Sequence, residues 1–250
     1  MKPILLSLSF LLLVFFSATA QKQKVLDNLN KDQTKGWVGF SAGPSFPIGA
    51  IANTNPSDST SGFAKTGAHL NLNIGYQISG PVGICVILHS TANPINADAY
   101  SKALSQALPS GINGSFEIKP WQMSGILAGP YFKLPSYGAS SFHLRALVGY
   151  ANVRNPETKI ILSKYGYQSL VATKESNEFM AFSYSLGGAA NVKLNKFIQI
   201  MLNFDFLTAT PTIKDLKTTF SNGAPYYIST AYDQPYSVIN ITLGIAYIVQ

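Results

Sequence analysis

Polar and apolar residues alternate with a period of two along much of the chain, the pattern of a strand whose two faces meet different surroundings. Residues 68–79 show it without a break. Ala68, Leu70, Leu72, Ile74, Tyr76 and Ile78 fall on one face, and His69, Asn71, Asn73, Gly75, Gln77 and Ser79 on the other. The template recurs near the start, where Val38, Phe40, Ala42, Phe46 and Ile48 oppose Gly39, Ser41, Gly43 and Ser45. Met180, Phe182, Tyr184 and Leu186 oppose Ser183, Ser185, Gly187 and Ala189, and Ile198, Ile200, Leu202, Phe204 and Phe206 oppose Gln199, Met201, Asn203 and Asp205. The last segment sets Ile239, Ile241, Leu243, Ile245, Tyr247 and Val249 against Asn240, Thr242, Gly244 and Ala246.

Three further strands are read at 82–89, 121–134 and 142–150. In 121–134 the phase changes, with Trp121 and Met123 in one register and Ala128 and Phe132 in the other. A bulge near Gly125 or Gly129 would reconcile the two. Short connections at 79–81, 135–140 and 194–196 alternate with long ones at 50–65, 92–119, 155–179 and 213–235. Alternating short turns and long loops on an even number of strands is the arrangement of an outer-membrane barrel. The expectation is an all-β chain: a transmembrane antiparallel up-and-down β-barrel of about eight strands with four long extracellular loops.

Composition sharpens this reading. Charged residues make up 12% of the 250-residue chain, against about 25% for a soluble domain. Beyond the first twenty residues no apolar run approaches the ~20 residues of a membrane helix. Those first residues read as a secretory leader, with Lys2, an apolar stretch over 4–16, and Ala18-Thr19-Ala20 as the cleavage site. The domains expected are a signal peptide over 1–20, a short periplasmic segment over 21–35 and the barrel over 36–250. Cys85 is the single cysteine, so no disulfide framework exists. The net charge of +7 comes from cations spread singly along the chain. They read as a solvated surface, and no nucleic-acid partner is expected.

The polar faces decide which side meets lipid. A water-facing sheet carries many Lys and Glu residues, whereas these faces hold mostly Gly, Ser, Ala, Asn and Gln, with Arg145, Lys193 and Asp205 as the clear charges. Small neutral residues suit the interior of an eight-stranded barrel, which side chains just fill. The apolar set then faces lipid, with Trp37, Phe142 and Tyr247 placed as one aromatic girdle and Tyr150, Phe206 and Tyr236 as the other. On this reading arginine at Leu72 or Leu202 costs more than arginine at Asn71 or Asn203.

Residues 39–49, GFSAGPSFPIG, and the related 125–132, GILAGPYF, resemble strands of the porin-family "outer membrane protein β-barrel domain". That group is similar in architecture to the small OmpA/OmpX-type barrels of Gram-negative bacteria. The resemblance covers most of the mature chain and carries no catalytic motif. It implies residence in the outer membrane, outer-membrane lipid as surroundings, and the barrel assembly machinery as a partner during biogenesis. The chain departs from many such barrels in ending on Gln250 rather than an aromatic residue, with Tyr247 three residues back.

Candidate chemistry is sparse. A turn at 79–81 pairs His69 with Thr91 and Asn71 with His89, which makes the two histidines diagonal neighbours pointing into the lumen. A metal needs three or four ligands, and no third stands beside them. They are read as hydrogen-bonded lumen residues, with no metal and no cofactor expected. Ser90 points away from His89 and the chain lacks a Gly-x-Ser-x-Gly elbow, so catalysis is not expected. Arg145 and Asp205 are candidates to pair across the lumen. In the loops, 95–108 between Pro94 and Pro109 predicts an amphipathic helix, its stripe being Tyr100, Ala103, Leu104 and Ala107, that caps the barrel mouth or binds a partner. Tyr226, Tyr227 and Tyr232 mark the last loop as a ligand- or glycan-contacting surface. The leading functional expectation is a non-enzymatic barrel with a structural or surface-binding role through its extracellular loops, toward a ligand the sequence does not name. The second is a narrow pore or small-solute channel. Cleavage after Ala20 should leave Gln21 as the mature N-terminus; sequencing of the exported protein that returns Met1 removes this expectation.

Overall fold

The computed structural model describes residues 35–109, 112–135, 139–164, 169–221, 225–228 and 231–250. The expected leader over 1–20, and the segment 21–35 apart from Lys35, lie outside the described residues. From β1 (Gly36–Ile48) the chain passes through a 3-10 turn (Gly49–Ala52) to the hairpin β2 (Gly67–Ser79) and β3 (Val82–Asn93). Helix α1 (Ala97–Ala107) and the short β4 (Ile112–Ile118) precede β5 (Trp121–Lys133) and β6 (Ser140–Arg154). Then come β7 (Thr158–Lys164), β8 (Leu170–Lys174), β9 (Glu178–Lys193) and β10 (Ile198–Ala209). Four short strands, β11 (Thr212–Ile213), β12 (Leu216–Phe220), β13 (Pro225–Ile228) and β14 (Tyr232–Asp233), lead to β15 (Tyr236–Val249).

Eight strands close into an antiparallel barrel in the order β1-β15-β10-β9-β6-β5-β3-β2. Each is one of the eight segments read from the alternation, and the long connections carry the remaining elements. Cross-strand partners followed round the wall from Val38 pass Ile74, Val86, Ala128, Val148, Tyr184, Thr208 and Ser237 and return to β1 at Ile48. Closure therefore staggers the sheet by ten residues. Strand number and stagger together fix the tilt and bore, and eight strands leave room only for side chains.

The two faces are inverted relative to a soluble barrel. Phe40 is 53% exposed, Leu243 58% and Met180 71%, whereas Ser41, Asn73 and Asn203 are fully buried. Every barrel strand shows this outward apolar set, and exposed apolar patches of this extent are foreign to soluble monomers. The backbone of the wall is paired strand to strand all round, as hydrocarbon demands. This is a transmembrane barrel.

Two expectations change. Strand β5 has no bulge: its pairing with β3 runs in one register from Val82–Phe132 to Asn93–Trp121, and its pairing with β6 keeps one register on both sides of residues 129–130. The apparent change of phase arises because the lumen accepts large apolar side chains. Trp121, Met123, Leu127 and Tyr131 are buried inside, joined by Leu147 and Met201, while Ile126 and Phe132 face out. The girdles also lose two members. Phe142, Tyr150 and Tyr247 do project outward, but Trp37 (6% exposed) and Tyr236 (0%) are lumen residues. Trp37 is inside because its strand parity is that of Ser41, and Gly75 on the neighbouring strand makes space: a Cβ there would lie 2.2 Å from the indole ring.

Arginine at Leu72 or Leu243, outward and near mid-strand, should cost ~2–4 kcal/mol at the bilayer midplane. Reversible denaturant unfolding in lipid vesicles measures this; a change below ~1 kcal/mol at both positions would show that these faces do not meet hydrocarbon.

Candidate functional site

The centre of the lumen is a polar network built on one ion pair. Arg145 on β6 donates from Nε to Asp205 Oδ1 (2.9 Å) and from Nη2 to Oδ2 (2.6 Å), and both side chains are buried. The intervening strand β9 does not separate them. Arg145, Gly187 and Asp205 stand in one cross-strand row, and Gly187 has no side chain to obstruct the pair. A Cβ on Gly187 would meet Asp205 Oδ1 at 2.1 Å.

Buried charge needs its remaining hydrogen-bonding capacity met. Arg145 Nη1 donates to Asn73 Oδ1 (3.2 Å) and Nη2 also to Asn203 Oδ1 (3.3 Å). Asn203 Nδ2 donates to Ser41 Oγ and Thr242 Oγ1, each at 3.1 Å. Asn73 Nδ2 donates to Asn71 Oδ1 (2.6 Å), which also accepts from Ser41 Oγ. The network thus spans β1, β2, β6, β10 and β15 and fills the bore. Since Asn71 and Asn203 are spent inside it, arginine at either would bring a second cation toward Arg145 rather than into water.

The histidine register is as read from the turn: His69 pairs with Thr91 and Asn71 with His89. The two rings stack with centroids 6.0 Å apart. His69 Nδ1 bonds Thr91 Oγ1 at 2.7 Å, while the buried His89 has no hydrogen-bond partner among the described residues. No group of three or more metal-ligating side chains gathers among the described residues. Ser90 lies on the exposed face.

Both ends of the lumen are filled as well. Toward the short turns, Trp37, Tyr131 and His143 form a three-ring floor with centroids 4.9 to 5.4 Å apart. At the mouth on the long-connection side the first long connection folds inward. Its Ile51 is fully buried, Trp121 Nε1 donates to Gly62 O (2.9 Å), and Gln234 Nε2 donates to Thr60 O (2.8 Å). Beneath it Tyr236 donates its hydroxyl to Asn93 Oδ1 (2.7 Å). Hydrogen bonds from the hydroxyl and amide of Thr60 hold the Asp58 carboxyl below its ordinary pKa, which ties the tip of this loop.

The expected helix forms at Ala97–Ala107, with the Asn96 side chain accepting from Ala99 N (3.2 Å) as its N-cap. It is not the cap of the barrel. Tyr100 packs against Phe63 (5.5 Å) and Phe116 (5.2 Å) instead, so the first loop closes the mouth and the helix braces that loop against β4.

The other long connections build a five-stranded sheet in the order β13-β12-β8-β7-β4. It prolongs the barrel wall. Ile118 pairs with Thr158 four residues beyond Gln122–Arg154, and Thr158 pairs with Lys174 four beyond Arg154–Glu178. Lys174–Thr218 likewise continues Ser183–Ala209, nine residues on. Strands of the wall thus rise past the rim as a fin. Pro120 and Pro156 stand at the breaks, where a residue without an N–H interrupts the ladder. The buried Asn155 clamps the break, accepting at Oδ1 from Asn177 N (2.7 Å) and donating to Glu175 O (3.3 Å). Sequence reasoning missed the fin, although period-two alternation at Ile112, Phe116 and Ile118 and the apolar run Ile160-Ile161-Leu162 were present inside the loops. On its outer strand Tyr226 and Tyr227 are 58% and 61% exposed. Tyr232 does not join them, being packed partly buried against the core.

No protein-family model matches the sequence, and no curated protein matches it significantly. Solved structures do resemble the fold. The attachment invasion locus protein Ail of Yersinia pestis aligns over 86% of this chain and 99% of its own, with 16% identity and a TM-score of 0.42. A major outer membrane protein from Thermus thermophilus aligns over 87% and 100%, with 12% identity and a TM-score of 0.46. Neisserial surface protein A aligns over 86% and 97%, with 8% identity and a TM-score of 0.42. At such identities the likeness is one of architecture.

Asp205→Ala, which leaves Arg145 buried and unpaired, should lose about 3–5 kcal/mol of unfolding free energy. Gly187→Ala should destabilise by about 1–3 kcal/mol, because its methyl displaces the Asp205 carboxylate. Denaturant unfolding in vesicles reads both. If Gly187→Ala is neutral, the glycine is not what lets the pair form.

Proposed function

We propose that this protein is a non-enzymatic, non-conducting barrel of the bacterial outer membrane that presents its fin as a binding surface. The observation that carries the reading is the contrast between a lumen filled at three levels and a fin held rigidly in register above the rim. A side-chain-filled bore has no path for a solute, and the polar groups at its centre are bonded to one another around Arg145 and Asp205. The fin places adjacent tyrosines at an exposed edge, and rings with a polar tip are favoured in recognition surfaces. Loops on a rigid scaffold are where binding function concentrates. Export by a cleaved leader over residues 1–20 and insertion by the barrel assembly machinery complete the proposal. The narrow-pore alternative makes the opposite demand on the lumen.

Planar-bilayer recording of the refolded full chain should give no discrete conductance steps. Sustained steps from the purified protein would move the assignment to a channel. On a glycan array, the vesicle-embedded protein should retain ligands through the fin, and Tyr226→Ser with Tyr227→Ser should cut that retention by about tenfold, roughly 1–3 kcal/mol of aromatic contact. Retention unchanged by both substitutions would place binding elsewhere.

A further inference from the structure

We propose that a charged notch at the foot of the fin is a site for a lipid headgroup carrying both a phosphate and a primary ammonium, of the phosphoethanolamine type. The inference rests on the membrane reading above but not on the fin's own binding role. The notch has a volume of about 270 Å³ and is lined by Lys119, Gln122, Arg154, Glu157, Ser176 and Glu178. That lies near the lower end of ligand-pocket volumes, which start at about 300 Å³. It accommodates a headgroup.

Register fixes its height. On three adjacent strands the outward residues form successive rows. Ile126, Tyr150 and Phe182 make an apolar row, Ser124, Asn152 and Met180 a mixed row, and Gln122, Arg154 and Glu178 a polar row above them. The lumen sides of these strands carry the fully buried Met123 and Val153, so the rows face out of the barrel. Two residues of rise separate one row from the next, about 7 Å. The notch therefore begins where the hydrocarbon-facing surface ends. A ligand seated in it lies above the exposed Tyr150 and Phe182, which meet edge to face at 6.1 Å, and an acyl chain leaving the notch runs down onto them.

Charge fixes the headgroup. Lys119 Nζ bonds Glu157 Oε2 at 2.8 Å. Arg154 directs both Nε and Nη2 to one oxygen, Glu178 Oε1. That leaves Arg154 Nη1, Glu178 Oε2 and Glu157 Oε1 without partners among the described residues. The notch is thus neutral in sum, with open donor and acceptor positions side by side. An anionic headgroup alone would be drawn to the cations and repelled by the carboxylates. A phosphate linked to a primary ammonium satisfies both, the phosphate taking donors of Arg154 and Lys119 and the ammonium donating to Glu157 and Glu178. A quaternary ammonium has no N–H to donate. All four charged side chains are partly exposed, so the ligand reaches them without disturbing the fold.

Native mass spectrometry of the full chain, refolded in detergent, tests this with four probes: phosphatidylethanolamine, phosphatidylcholine, phosphatidylglycerol and free phosphoethanolamine. Phosphatidylethanolamine should be retained at least about fivefold better than either other lipid, the effect of one charged contact at a membrane surface. Arg154→Gln and Glu178→Gln should each remove the preference, while Lys102→Gln on α1 leaves it intact. Heat-modified gel mobility confirms that each variant is folded. Equal retention of the three lipids, or a preference that survives both substitutions, overturns the headgroup site while leaving the barrel in the membrane. Tighter binding of free phosphoethanolamine than of the lipid overturns the lipid as occupant. Failure of the chain to insert into any lipid would instead remove the membrane reading itself.

Discussion

Backbone closure is the constraint from which the rest of this molecule follows. Hydrocarbon offers no partner to an exposed N–H or C=O, so a spanning sheet must pair every strand on both sides. Here that is achieved by eight strands with a ten-residue stagger, and those two integers set the bore. Once the bore is set, the interior must be packed by whatever side chains point inward. The lumen is therefore a core in the ordinary sense, assembled from Trp121, Met123, Leu127 and Met201 as well as from serines and asparagines.

The polar part of that core fills space around a buried ion pair. A buried ion pair is weak evidence for stability, because desolvation offsets much of the attraction, but removing one partner is costly. The Arg145–Asp205 pair sits where Gly187 makes room, and asparagine and serine side chains complete its hydrogen bonds. Such an arrangement works only when the three strands arrive in register. A slip by one residue would turn Arg145 and Asp205 toward lipid, so the pair discriminates strongly against misassembled walls.

Much of the barrel was legible in the sequence, and the reasons are local. Period-two alternation marks each strand without reference to its neighbours, and the His69–Thr91 register read from the turn holds because an irregularity between Gln77 and Ser79 offsets the direct Ser79–Val82 pairing. What was not legible depends on relations between distant segments. Trp37 looks like a girdle residue until Gly75 on another strand is known to leave a space beneath it. The phase of β5 looks broken until large apolar residues are allowed in the lumen. The fin was hidden because β4, β7, β8, β12 and β13 come from three different connections, and each is too short to mean anything until paired with the others. The candidate surface on that fin was legible only in part: Tyr226 and Tyr227 lie exposed, while Tyr232 is taken up by packing that no local pattern announces.

The continuity of register from wall to fin has a mechanical consequence. A load applied to the fin along its strands passes directly into β5, β6, β9 and β10. Interstrand hydrogen bonds lie across the strand direction, so such a load strains many of them at once in shear instead of opening them singly as a zipper. Asn155 ties the break at Pro156 to the neighbouring strand through Glu175 and Asn177. A pull on this sheet is therefore borne by the whole barrel wall, with the bilayer as its anchor plate.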